Sequence, residues 1–204
     1  MRSARVAFSA GVIAAVVYLV FTTVAFLKYP TGYSPVTNWL SDLGNPLVNQ
    51  SGALFYNLGC ILTGLVLIAF YLGLHQWSNG SKRLKVLLTI ARIAGILSSV
   101  LLIITALFPL GSHTSIHEIS GKLHIIALGF FLTFSATFIL RHPVLKKWPA
   151  YFGFITAAVN FAYGAFLYSI FIAEWLAIAM FIIYVLIISF SSLRWQKRSR
   201  PVTI

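Results

Sequence analysis

Histidines and a carboxylate are concentrated in two short stretches of this chain. Residues 113–124 hold three of the five histidines, His113, His117 and His124, and the second stretch surrounds Asp42. Imidazole and carboxylate groups bind divalent metals and exchange protons near neutral pH. Three such ligands plus a water are typical of catalytic zinc. The two stretches therefore predict either a divalent metal site, such as zinc, at these four residues, or acid–base chemistry by Asp42, His117 and His124.

The spacing of these residues also fits structural roles. Ser115 and Glu118 have the spacing of a capping box, which places His117 in the first turn of a helix. His124 follows seven residues later, on the same face and about 10 Å deeper. Two histidines seven residues apart reach one ion only with difficulty, so hydrogen bonds to backbone or hydroxyl groups are the alternative role.

Asp42 and the remaining charged residues leave similar alternatives open. Asp42 either takes part in a site or caps its own turn. Glu174 is either a second carboxylate of the site or a helix N-terminal residue stabilised by the helix dipole. Arg92 lies deep in an apolar segment, where we expect it to pair with carbonyl groups or with Asn160. The candidate binding residues are Ser41, Asn38, Glu174, Lys122 and Arg92.

The elements that must position these side chains are long apolar segments. The 204 residues are 59% apolar and only 9% charged, whereas soluble domains carry about 25% charged residues. Lipid is therefore the expected solvent, and a spanning helix needs about 20 apolar residues. The sequence predicts an all-α membrane protein with one domain over residues 1–204 and six transmembrane helices, at about 6–27, 51–75, 84–108, 117–140, 150–172 and 174–193.

Basic residues predict how this bundle is oriented. Twelve of the fifteen Lys and Arg residues flank the segments on the side of the two chain ends. Because positive loops stay in the cytoplasm, both termini are expected to be cytoplasmic. The basic residues on that side are Arg2, Arg5, Lys82, Arg83, Lys85, Arg141, Lys146, Lys147, Arg194, Lys197, Arg198 and Arg200. Asp42 and the His113–His124 stretch then face the non-cytoplasmic side of a cell membrane.

The charge balance and the missing motifs exclude several function classes. The net charge of +12 is explained by anionic headgroups and topology rather than by nucleic acid, so membrane lipids are the expected partners and protein partners stay open. Cys60 is the single cysteine, which excludes an intrachain disulfide. No Walker, GxGxxG, HExxH, GxSxG or CxxC motif is present, which argues against nucleotide-driven pumps, dinucleotide enzymes and standard serine hydrolases.

Residues 38–46, Asn-Trp-Leu-Ser-Asp-Leu-Gly-Asn-Pro, resemble the N-x-[IL]-S-D-L-G signature of the prokaryotic DUF998 membrane proteins. The resemblance continues through residues 55–57, Phe108-Pro109 and the His117–His124 stretch. The Ser-Asp segment is also similar to that of the Frag1/DRAM/Sfk1 membrane proteins. The resemblance implies six helices, marks Asp42 and the two helix histidines as site candidates, and implies no particular activity. It also leads us to expect an arginine after the last acidic residue, where this chain has Trp175.

Three functions remain open from the sequence. The first is an outer-leaflet lipid hydrolase or transferase that uses a metal or an Asp/His acid–base pair. The second is a non-catalytic bundle, lipid-binding or regulatory, whose polar residues are structural. The third is a small-solute carrier with Arg92, His124 and Asn160 along its path, which requires a wet cavity through the whole bundle.

Overall fold

The fold is a bundle of helices in a computed structural model that describes residues 2–77 and 81–198. Over these residues it contains six α-helices and no strand, which confirms the predicted all-α class. The helices are α1 (Arg2–Leu27), α2 (Ala53–Gly73), α3 (Lys82–Leu107), α4 (Thr114–Arg141), α5 (Trp148–Ala165) and α6 (Phe171–Arg198). Two short 3-10 turns, Leu40–Gly44 and Leu74–Trp77, complete the regular structure. Arg200, one of the predicted cytoplasmic residues, lies outside the described residues.

Five of the helices are long and apolar enough to cross a membrane, namely α1, α2, α3, α4 and α6. The remaining helix, α5, has 18 residues and a length of about 27 Å. It packs between α4 and α6. The protein is therefore a multi-pass membrane protein, as the sequence predicted.

The six helices form a closed antiparallel ring, in which each packs on its chain neighbours and α6 returns to α1. Small residues permit the close approaches. A Cβ on Gly73 would lie 2.6 Å from the backbone nitrogen of Ala7, so α2 and α1 cross at this point without a side chain between them. A Cβ on Gly95 of α3 would lie 2.5 Å from the Tyr71 ring. We call the end of the ring that carries residues 28–50 the loop side, and the opposite end the terminal side.

The end of the fifth helix differs from the sequence prediction. The apolar pattern runs unbroken to residue 172, but α5 ends at Ala165 and residues 166–170 form a turn before α6. The carbonyl of Ala162 accepts hydrogen bonds from the N–H groups of Phe166 and Leu167, which tightens this end of the helix. Since hydropathy does not distinguish an apolar turn from an apolar helix, the sequence pattern does not mark this boundary.

Large side chains fill the terminal-side half of the ring. Phe70, Tyr71, Phe131, Phe138 and Tyr184 are completely buried there. The Phe131 ring lies 4.7 Å from the ring of Tyr71 and 6.1 Å from that of Tyr184, both in edge-on geometry. We call these five residues the aromatic plug, because they join α2, α4 and α6 across the centre of the ring.

Candidate functional site

The Leu40–Gly44 turn, here called the loop turn, is built around Asp42. The N–H of Trp39 donates to Oδ2 of Asp42 at 3.0 Å, and the N–H of Asn45 donates to the Asp42 carbonyl at 3.1 Å. Asp42 therefore caps its own turn, which is the structural alternative weighed from the sequence. Burial raises the pKa of this half-buried carboxyl, while the Trp39 N–H acts in the opposite direction.

Polar side chains of the helices hold the loop turn against the bundle. Oε2 of Glu174 accepts the N–H of Leu40 at 2.7 Å, and Nδ2 of Asn57 donates to the Gly44 carbonyl at 2.8 Å. The last residue of the turn is glycine because a Cβ there would lie 2.5 Å from Oδ1 of Asn57 and 2.7 Å from the Tyr56 ring. Glu174 thus fixes the start of the turn and Asn57 fixes its end.

Asn49 joins residues 28–50 to two helices. Its Nδ2 donates to the carbonyls of Ala25 at 3.2 Å and Leu43 at 2.8 Å, and its Oδ1 accepts the N–H of Gly52 at 3.1 Å. The side chain is completely buried. The longest inter-helix segment is therefore a fixed cover over the loop side and not a loose linker.

Beneath this cover lies a pocket with two chemically different ends. It holds about 970 Å³ of empty space, including the space at its opening, and side chains from all six helices line it. Polar groups line the end near the loop turn: Ser41, Tyr56, Asn57, His117, Tyr168 and Glu174. Apolar groups line the deep end: Leu67, Phe181 and Val185. Along α6, Glu174 and Val185 are eleven residues apart, which is about 16 Å.

The two histidines of α4 both line this pocket and both are tied to α3. Nδ1 of His124 donates to the Ser98 carbonyl at 2.8 Å, and Nδ1 of His117 donates to the Thr105 carbonyl at 3.0 Å. A carbonyl oxygen only accepts, so these contacts place the proton of the neutral ring on Nδ1. In a neutral His124 ring this leaves Nε2 as the unprotonated nitrogen.

The four predicted metal ligands do not converge. His113 is an exposed residue at the start of α4, and its ring stands edge-on to Phe108 at 5.4 Å. Asp42 is used in its own turn, and His124 lies two helical turns below His117. Within residues 2–77 and 81–198, no three His, Cys, Asp or Glu side chains form a group that could hold a metal ion.

Three of the predicted binding residues do not line the pocket. Nε of Arg92 donates to the Tyr71 carbonyl at 2.9 Å, as expected for a carbonyl partner, and this places it in the terminal-side half. Asn38 accepts the N–H of Ser34 at 3.2 Å within the loop. The ammonium of Lys122 lies 4.4 Å from the centre of the Tyr168 ring. Ser41 and Glu174 are the two predicted binding residues that the fold brings into the pocket.

Several pocket residues were not singled out from the sequence. The hydroxyls of Tyr18 and Tyr56 lie 3.5 Å apart, and Tyr168 stacks on Tyr163 with ring centres 5.6 Å apart. Thr63 is 5% exposed and its hydroxyl has no hydrogen-bond partner. One sequence signal could have identified Tyr18, Tyr56 and Thr63 as pocket residues, since each is a polar side chain in the loop-side half of its helix.

Comparison with known proteins places this architecture in a family. The model of the family described as "Protein of unknown function (DUF998)" matches residues 12–193, a range that includes the loop turn, the pocket and the aromatic plug. No curated protein and no solved structure matches the chain. The match covers most of the chain, in agreement with the resemblance seen around Asp42, and the protein therefore belongs to the DUF998 family of membrane proteins.

Proposed function

We propose that this protein binds one amphiphilic molecule, a membrane lipid, in the pocket. The polar head lies beneath the loop turn, near Ser41 and Glu174, and the apolar tail extends toward the aromatic plug. The observation that carries this proposal is the lining of the pocket, which combines polar groups beneath the loop turn with apolar side chains two to three helical turns further along α6. A small polar solute would leave the deep apolar end unmatched, whereas a lipid matches both ends.

The dimensions support a lipid ligand. The pocket extends along α6 from Glu174 to Val185, both of which line it. Its polar-to-apolar length of about 16 Å is close to half of the roughly 30 Å hydrocarbon thickness of a bilayer. A lipid of the loop-side leaflet therefore reaches the aromatic plug without crossing the membrane centre.

Filling the pocket tests the proposal. Thr63→Phe places a ring in the space that the tail requires, and Leu65→Phe on the same helix is the matched control because Leu65 is 54% exposed on the outer surface. Protein is extracted into polymer-bounded membrane discs, re-purified in mild detergent, and its retained lipid is quantified by mass spectrometry. We expect near-stoichiometric retained lipid in wild type and L65F, and at least a tenfold loss in T63F. Equal retention in all three proteins contradicts the proposal.

Hydrolysis or transfer of a lipid ester is the second candidate, and the fixed tautomer of His124 favours it. Nε2 of His124 would accept a proton from water, the hydroxide would attack the ester carbonyl, and the departing alkoxide would take up a proton. Fatty acid release from mixed phospholipids, followed by mass spectrometry, tests this. Release that disappears in His124→Gln and persists in Leu65→Phe supports hydrolysis, and no release in wild type leaves binding as the function.

A carrier path receives less support. Arg92 is bonded to the Tyr71 carbonyl, Asn160 donates to the Thr156 carbonyl at 2.9 Å, and neither lines the pocket. The aromatic plug occupies the half of the ring that a path to the terminal side would need.

A further inference from the structure

We propose that the polar end of the pocket selects an amphiphile whose head carries a positive charge, an ammonium group attached to an apolar tail. This inference rests on the proposed lipid-binding function and adds the chemistry of the head. It is carried by one carboxyl group, a cluster of tyrosine rings and a described lining without Lys or Arg.

Glu174 is the one acidic side chain among the lining residues that the structure describes, and it lies at the polar end. No Lys or Arg is among these residues. The ammonium of Lys122 lies 4.4 Å from the centre of the Tyr168 ring, and that of Lys28 lies 5.2 Å from the centre of the Phe55 ring. A cationic head would favour the ionised form of the buried Glu174 carboxyl, whereas a phosphate head would favour its protonated form.

Four tyrosine rings line the pocket near this carboxylate. Tyr18 and Tyr56 meet edge-on, with ring centres 6.4 Å apart, and Tyr163 and Tyr168 stack at 5.6 Å. Glu174 is close enough to interact electrostatically with the hydroxyls of all four. Tyrosine faces attract ammonium and especially quaternary ammonium groups, and the attraction increases when the cation is desolvated.

The phenols remain neutral, so the aromatic faces provide this attraction at physiological pH. Tyr168 is outside the helices, and burial, with smaller contributions from Glu118 and Glu174, raises its pKa to about 12. Glu174 is therefore the group that takes up negative charge beside a bound cation, while the tyrosines contribute their ring faces and hydroxyl dipoles.

Probes with one tail and different heads test the inference. Purified protein in dodecyl maltoside micelles is loaded with a fluorescent single-chain lipid, which is then displaced by C14 amphiphiles that end in trimethylammonium, the uncharged tert-butyl isostere, or phosphate. The same titrations on Thr63→Phe give the background from micelle partitioning. We expect the ammonium probe to displace at a concentration at least about tenfold lower than the isostere, and phosphate to be weakest. Choline without a tail is expected not to displace.

The outcomes separate this inference from the proposed function. Equal displacement by all three C14 probes overturns head selection and leaves lipid binding intact. No displacement by any probe overturns both, and displacement by choline alone shows a site for a free ammonium and overturns the lipid proposal. Preference for phosphate overturns the head assignment directly.

A pair of variants connects the preference to its residues. Glu174→Gln keeps an oxygen that can accept the Leu40 N–H but removes the charge, so the ammonium preference should fall about tenfold or more while isostere binding persists as a measure of folding. Tyr163→Leu removes one ring face and Tyr163→Phe retains it. If the ammonium preference is lost in Y163L and kept in Y163F, the ring contributes to it. Unchanged preference in both E174Q and Y163L overturns the inference.

Discussion

The two halves of the same helical ring are filled in opposite ways. In the terminal-side half, Phe131 lies between Tyr71 and Tyr184, and all three are 0% exposed. In the loop-side half the same helices contribute tyrosines, threonines and histidines around open space. The comparison shows that the large apolar side chains hold the ring together at one end, which leaves the other end free to carry a polar pocket.

The loop-side half depends on directed hydrogen bonds for its stability. The cover is held by Asn49, Asn57 and Glu174, each of which bonds to backbone groups of residues 28–50. Such bonds fix the geometry of a polar rim without filling the space beneath it. Substitutions in the two halves should therefore differ in size and in what they affect.

The largest effect is expected from truncating the aromatic plug. Phe131→Ala removes a fully buried ring, and we expect the free energy of unfolding to fall by about 3–5 kcal/mol. Ile182→Ala in the pocket wall should cost less than about 2 kcal/mol, because that side chain already borders open space. Thermal unfolding and denaturant titration in detergent measure both. Similar losses at the two positions would break the distinction between a packed and an open half.

Removing the buried amide of the cover should have the next largest effect. Asn49→Ala leaves the carbonyls of Ala25 and Leu43 and the N–H of Gly52 without this partner, at a cost of about 2–3 kcal/mol. Asn38→Ala, on the more exposed part of the same loop, should cost about 0.5 kcal/mol. In limited proteolysis, residues 28–50 should be cleaved faster in N49A than in N38A. Equal cleavage of the two variants would show that the cover is not anchored through Asn49.

Glycine substitutions sharpen the comparison further, because two positions predict opposite signs. Gly44→Ala inserts a Cβ against Asn57 and Tyr56, so it should displace the loop turn and destabilise the protein by about 1–3 kcal/mol. Gly121→Ala in α4 meets its nearest atom at 3.8 Å, so it should stabilise the helix by about 0.5–1 kcal/mol. The melting temperature should fall in G44A and rise in G121A. An equal decrease in both variants would contradict the close packing of Gly44 against Asn57 and Tyr56.

The smallest expected effect is the pH dependence from Asp42. Burial raises the pKa of this carboxyl above its ordinary value of 3.8, so the folded state holds the proton more tightly than the unfolded state. Stability from this group is therefore present below pH 3.8 and declines as pH rises through the raised pKa, after which it is constant. When the melting temperature is measured as a function of pH, the decline that Asp42 causes should be absent in the Asp42→Asn variant. An unchanged slope in D42N would assign the dependence to another group.

The sequence was sufficient for the architecture but not for the grouping of polar residues. Charge-poor apolar segments predicted six helices, and a local cap was one of the two roles left open for Asp42. The proposed convergence of Asp42 with His113, His117 and His124 did not follow, because a capping carboxylate is already used locally and helix residues seven apart differ by about 10 Å in depth. Ser41 and Glu174 do meet, since α6 begins beneath the loop turn.

The sequence by itself determined the helical class, the membrane solvent, the turn at Asp42 and the placement of Glu174 at the start of the last helix. Each of these follows from residue types that are near one another in the chain. Tertiary structure alone decided which polar groups share the pocket, which carbonyls fix His117 and His124, and where α5 ends. The physical reason is that lipid outside the ring is as apolar as the core inside it. Apolar residues therefore occupy both the lipid-facing and the core-facing sides of each helix, and only the closed ring shows which side points inward.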